Sequence, residues 1–398
     1  MNIIWLCDFY FEDKSSKYYP FMEIIEYLKL KSVKSSIVPI ILYPINYDNS
    51  RSFEYCYFIR KKRYNNKNQT RSWITLLKIL FKGYPIFLFK NLIRLRKKNT
   101  VIHLFSGFLP ALFGSLIAKI LRIPCILGPN VLPSKNLLLS NIISKNNIIY
   151  YIRDLIISKL FYHKILCFSQ YHKYLLVKKY HIKPRNIEII NIGINSEIFY
   201  KMNKKRKGYN LYKSRDKIIL YIGLPKREKG FFLFINACRK ILENNFQVNI
   251  LIIGVKDDRI KTYVEKTFEK WSDRIKILGW HPRTDLIYYY NMADLFINPS
   301  MDETWSMTTV EALSCGTPCI CSNLPVFKYH INEYENGLLF KPNDIDDLAS
   351  RIIEGLNIRW DRNRISKDAL TKYSWEKSAG KLIKIYEKLI QNKGGSSN

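Results

Sequence analysis

Acidic residues are scarce in this chain. Its 398 residues hold 33 Asp and Glu against 65 Lys and Arg, a formal net charge of +32. A field of that sign attracts polyanions such as nucleic acid, anionic lipid or phosphorylated ligands. Histidine is rare too, with 6 copies, and the 8 cysteines form no Cys-x-x-Cys pair. The cysteines stand at 7, 56, 125, 167, 238, 315, 319 and 321, mostly inside apolar runs. That spacing excludes a disulfide framework and a structural zinc site, and suits reduced, buried thiols in a cytosolic setting. A signal peptide is missing as well: MNIIWLCDFYF has no basic leader and reads as a buried first strand. The stretch Asn99–Ala118 lacks charge for 20 residues, the length of a membrane span. It also holds His103, Gly107, Pro110 and Gly114, so it reads as a strand, a turn and a packed helix.

Apolar residues are plentiful, at 47%. The chain is also longer than the roughly 250–300 residues at which single cores stop growing, so two domains are expected. Short apolar runs alternate with helical patterns, which predicts an α/β fold with parallel sheets. In the first half, strands are expected over 3–7, 35–42, 101–105, 124–128, 164–169 and 187–193. The basic, aperiodic run KMNKKRKGYNLYKSRD (201–216) reads as a linker. Strands then resume over 218–223, 248–254, 274–280, 294–300, 317–322 and 336–342, with helices over 231–244 and 345–356. Ligands of such sheets bind outside the carboxyl ends of the strands, where Gly223, Gly254, Ser300 and Glu303 fall.

The most informative segment is PSMDETWSMTTVEALSCGTP (299–318). It sets Glu303 in a loop before a helix and Glu311 about two turns inside it. Carboxylates accept hydrogen bonds, and sugar rings and ribose are arrays of hydroxyl donors, so two acids at fixed separation can hold both ends of a sugar nucleotide. The same spacing also fits a capped helix with one exposed and one salt-bridged Glu.

These residues resemble glycosyltransferase family 4, whose GT-B fold joins two Rossmann-like, doubly wound domains. Glu303 and Glu311 match its glutamate-x7-glutamate signature, flanked by INPSMDE, VEALSCGTPCICSN and NGLLFKPNDIDDLA. YIGLPKREKG matches its phosphate-binding element, IINIGINSEIF the segment closing the first domain, and YSWEKSAGKLIKIYEKLI a helix crossing back to it. The likeness is specific from about Lys164 to Ile390 and weak before that. It implies an acceptor-side domain over 1–200, the linker, a donor-binding domain over 217–372 and a C-terminal crossover helix over 373–391. It further implies that Glu311 accepts from the donor ribose and Glu303 from the transferred sugar. Thr304, Trp305, Ser306 and Met307 would offer backbone N–H groups, Lys229 would meet the diphosphate, and Gly223 and Gly279 would line the donor site. A fixed cation and a helix N-terminus near 306 would then stabilise the departing charge, with neither metal nor cofactor.

The chain departs from that pattern in three places. Leu224 stands where the family has Arg in an Arg-x4-Lys spacing, with Lys226 and Arg227 nearby as substitutes. DFYFEDKSSKYYP, after the first strand, lacks the family's glycine pair. Asn130 replaces a family His on the catalytic, acceptor side. The resulting expectation is a retaining hexosyltransferase acting on a glycan or lipid-linked acceptor of bacterial polysaccharide or lipopolysaccharide synthesis. It would sit on the inner face of the cytoplasmic membrane. The basic-apolar segments 74–98 and 146–164 suit an anionic membrane surface, or ordinary packed helices with a solvated Lys face. A non-catalytic GT-B protein that binds a sugar nucleotide or glycan is the alternative. Specific nucleic-acid binding rests only on the pI near 9.7, with no module to support it.

Overall fold

The computed structural model describes residues 2–7, 36–41, 84–96, 99–104, 108–128, 156, 159–203, 212 and 216–394. These divide into two compact units: one takes in the chain to Ile190 together with Ala379 onward, the other Asn191–Ser378. The division falls ten residues before the 201–216 run, most of which lies outside the described residues, as do Asn130 and residues 8–20.

The first unit contains β1 (Asn2–Cys7), β2 (Ser36–Ile41), α1 (Tyr84–Leu95), β3 (Thr100–Leu104), α2 (Phe108–Ile120), β4 (Cys125–Leu127), β5 (Lys164–Cys167), α3 (Gln170–Tyr180) and β6 (Ile187–Ile189). Its strands form one parallel sheet in the order β2-β1-β3-β4-β5-β6. Strands buried on both faces read as continuous apolar runs, and β3 (TVIHL) and β4 (CIL) are buried throughout. Asn99–Ala118 resolves as β3 followed by α2, as its Gly and Pro residues foretold. Among the described residues no helix is long and apolar enough to cross a membrane.

The second unit runs β7 (Lys217–Ile222), α4 (Phe231–Glu243), β8 (Val248–Ile253), α5 (Asp258–Thr267), β9 (Ile275–Leu278), α6 (Arg283–Met292), β10 (Leu295–Asn298), α7 (Met307–Ser314), β11 (Cys319–Ser322), α8 (Pro325–His330), β12 (Gly337–Phe340), α9 (Ile345–Asn357) and α10 (Arg362–Lys372). Its parallel sheet is ordered β12-β11-β10-β7-β8-β9. The helices form where apolar periodicity meets good caps: Asp344 accepts from the Asp346 and Asp347 amides at the start of α9, and Asp361 caps α10 alike. Helix α4 turns Phe231, Phe234, Ile235, Cys238 and Ile241 into the core and leaves Arg239, Lys240 and Glu243 outside. A last helix, α11 (Trp375–Gly394), begins in the second unit and, from Ala379, belongs to the first.

Candidate functional site

The strand order of the second sheet reverses between β7 and β10, the kind of switch point where open α/β sheets bind ligands. The loops leaving these two strands are pinned to each other. Gly230 adopts φ 65°, and a Cβ on it would overlap the Pro299 carbonyl oxygen. The Met301 amide donates to the Glu228 carbonyl at 3.0 Å. This close approach brings Lys229 Nζ to 2.7 Å from Glu303 Oε2, while the Thr304 amide donates to Oε1 at 3.1 Å. The Glu303 side chain is 7% exposed and that of Lys229 29%, so the lysine is the partner that keeps some contact with solvent. An ammonium has three donors, and Glu303 takes one.

The loop 299–306 owes its shape to Asn298 at the end of β10. Its Nδ2 donates to Ser306 Oγ at 2.8 Å and Thr309 Oγ1 at 3.0 Å, and its Oδ1 accepts from the Ser300 amide at 3.3 Å. Ser306 sits at φ 67°, a left-handed geometry rare outside glycine, and starts α7 without a side-chain cap. The first amides of α7 are thus left for another acceptor.

Glu311 lies just over one turn into α7, because the helix starts at Met307, later than the spacing suggested. Its oxygens accept from Arg283 Nε at 2.7 Å and from the Tyr290 hydroxyl at 2.9 Å, both on α6. The Arg283 guanidinium also lies 4.8 Å over the Phe199 ring. Burial first, then the Glu311 charge, pushes the Tyr290 hydroxyl well above its ordinary pKa. Arg362 fixes this corner from behind by donating to the Gly316 and Ala293 carbonyls and to Thr317 Oγ1; Thr317 in turn donates to the Tyr290 carbonyl.

Trp305 is buried against His330, Tyr329 and Tyr373. His330 Nε2 lies 2.5 Å from the Trp305 carbonyl, which only accepts, so Nε2 carries the proton and Nδ1 accepts from the Tyr373 hydroxyl at 2.7 Å. Burial lowers the His330 pKa to about 3, keeping the ring neutral.

Gly223, Gly254 and Gly279 stand side by side at the ends of β7, β8 and β9. The Gly223 amide bonds Ile253 and the Gly254 amide bonds Leu278 and Gly279. Gly254 has φ 108°, and a Cβ there would lie 2.6 Å from the Gly223 carbonyl oxygen. Lys226 and Arg227 are exposed in the turn before Lys229, and Leu224 is 55% exposed. Thr304, Trp305 and Ser306 are buried. The structure therefore brings Lys229 to Glu303 and ties Glu311 of α7 to Arg283 and Tyr290 of α6. Arg283, Tyr290, Asn298 and His330 escaped the sequence reading. The only signal for the first two was their seven-residue spacing, which puts them on one face of a helix.

Residues 202–372 match the family model of glycosyl transferases group 1. The O-antigen chain mannosyltransferase B of Escherichia coli is 30% identical over 178 residues, 43% of this chain and 45% of that protein. UDP-Gal:alpha-D-GlcNAc-diphosphoundecaprenol alpha-1,3-galactosyltransferase of Escherichia coli is 25% identical over 241 residues, 58% of this chain and 61% of that protein. The chain thus spans about half to three fifths of the length of these curated relatives. In structure, it resembles sucrose-phosphate synthase from Thermosynechococcus elongatus with a TM-score of 0.75 at 18% identity, over 98% of this chain and 99% of the other. The fold is GT-B, with a Rossmann-like sheet in each unit.

Proposed function

We propose that this protein is a glycosyltransferase of the glutamate-x7-glutamate type, family 4, that moves a hexose from a nucleotide-sugar donor to a glycan or lipid-linked acceptor with retention. The observation that carries this reading is Lys229 held at Glu303 across the switch point, beside the uncapped start of α7. In the reaction, the bond from the anomeric carbon to the diphosphate oxygen breaks and its electron pair stays on that oxygen. The acceptor hydroxyl oxygen bonds the same carbon, and its proton passes to the departing diphosphate oxygen. Negative charge grows on the diphosphate, and an ammonium with oriented amides favours it there. Glu303 is assigned to the transferred sugar and Glu311, kept in place by Arg283 and Tyr290, to the ribose. Gly223, Gly279, Lys226, Arg227 and the 304–307 backbone are assigned to the donor, and Asn130 is assigned a catalytic role on the acceptor side by resemblance alone. No metal or cofactor takes part. The pathway is bacterial cell-surface polysaccharide or lipopolysaccharide synthesis, a reading supported by the names of the two Escherichia coli relatives, and its place is assigned to the inner face of the cytoplasmic membrane.

The test is a thermal-shift screen of UDP-, GDP-, ADP- and CMP-sugars, followed by transfer from the radiolabelled hit with and without EDTA. A donor at about 100 times its Kd adds about 2.7 kcal/mol of stability. Transfer that survives EDTA supports the reading. Donor binding with neither transfer nor hydrolysis would leave a non-catalytic sugar-nucleotide binder.

A further inference from the structure

The positive charge is not spread evenly. From Tyr55 to Arg153 the chain holds 18 Lys and Arg and no Asp or Glu. A uniform bias toward lysine would load every helix alike. Helices of the second unit instead pair opposite charges one turn apart, as in Arg239–Glu243 at 3.5 Å, Lys261–Glu265 at 3.8 Å and Arg364–Asp368 at 3.6 Å.

Two helices of the acid-free stretch, α1 and α2, pack on each other and turn Leu88, Leu92, Ile117 and Ala118 into the core of the first unit. Their outer sides hold large apolar residues in water: Ile86, Phe89 and Ile93 on α1, Leu116 and Ile120 on α2, with Ile86 57% and Ile120 60% exposed. At the helical turn angle, Ile86, Phe89 and Ile93 fall within about 60° of arc, clear of the buried pair. Lys90 and Arg94 follow on the next sector, and Arg96, Lys119 and Arg122 are exposed as well. A soluble helix spends its outer face on polar residues; this one interleaves aliphatic side chains with cations.

We propose that the outer face of α1 and α2 docks on an anionic lipid surface, its apolar side chains entering the interface and its cations meeting the headgroup phosphates. Charge complementarity selects this occupant. A second copy would set like charges against each other, and Phe89 is the single aromatic among five exposed apolar side chains, too few to stack successive bases of a nucleic acid. The residues all belong to the first unit, so the inference stands or falls apart from the donor chemistry of the second.

Flotation with vesicles tests it, comparing phosphatidylglycerol–phosphatidylcholine mixtures with phosphatidylcholine alone at 0.1 M salt. The parent chain is expected to float with the anionic vesicles only. Lys90→Gln/Arg94→Gln/Arg96→Gln should lower that partition by about a hundredfold, at about fivefold per cation near an anionic surface. A charge-matched control in the second unit, Lys261→Gln/Lys266→Gln/Lys270→Gln, should lower it less than tenfold. Ile93→Asn/Ile120→Asn should release the protein although its charge is unchanged. Unaltered circular dichroism and unfolding temperature show that each variant is folded. Equal loss in the control, equal flotation with neutral vesicles, or no flotation at all overturns the proposal. So does a dimer in sedimentation equilibrium that the Ile93→Asn/Ile120→Asn variant dissolves.

Discussion

Glu303 and Glu311 are both buried carboxylates, yet their partners stand on different kinds of element. Glu303 faces a lysine on a loop, Glu311 an arginine and a tyrosine on a helix. Lys229→Met keeps most of the side-chain stem and removes the charge. Transfer is expected to fall at least tenfold, and stability by about 1–3 kcal/mol because Glu303 loses its partner in a largely dry site. Steady-state kinetics and denaturant titration check both; unchanged turnover would remove Lys229 from the reaction. Glu311→Gln leaves Arg283 with a neutral partner, and breaking such a buried pair costs about 3–5 kcal/mol. Tyr290→Phe removes only a hydrogen bond to a charged group, at about 1.5–3 kcal/mol. If Tyr290 serves only to place Glu311, its loss should raise the donor KM and leave kcat nearly unchanged.

At the scale of elements, the strands were legible in the sequence because parallel strands buried on both faces leave runs of Ile, Leu, Val and Cys, and β7, β8 and β10 lie within two residues of their expected ends. Glu303 was legible for a different reason: it follows a strand end, where the fold class puts its ligands, whereas Lys229 was reached only through the family resemblance. The support of Glu311 was not legible. Arg283 stands 28 residues before it and Tyr290 21, and their meeting depends on how α6 packs on α7, which no local pattern encodes. The same holds for two buried histidines. His103 on β3 meets the Tyr386 hydroxyl at 2.7 Å, and His330 ends α8; burial lowers both pKa values to about 3. In the unfolded chain each titrates near 6.5, so the unfolded state binds more protons below that pH. Stability should therefore be steady above about 6.5 and fall toward 3, by up to about 1.4 kcal/mol per pH unit for each histidine. Urea titrations from pH 7 to 4 should show this slope, and His330→Gln should reduce it by about half, leaving the contribution of His103.

At the scale of the whole molecule, the last helix decides where the chain can be cut. Leu382, Tyr386 and Leu389 of α11 are buried, and from Ala379 the helix is part of the first unit. A chain ending at Ser378 should lose protease resistance within its first 190 residues while the second unit stays resistant. Equal resistance in both would show that the helix is dispensable. The same helix also sets an order of assembly. Tyr386 is made 283 residues after His103, and synthesis runs at about 5–20 residues per second. For about 14 to 57 seconds on the ribosome, the apolar site for α11 on the first sheet therefore has no helix to fill it. The half of the protein that is translated first is the half that is finished last, and a chaperone acting on the nascent chain has its longest opportunity there.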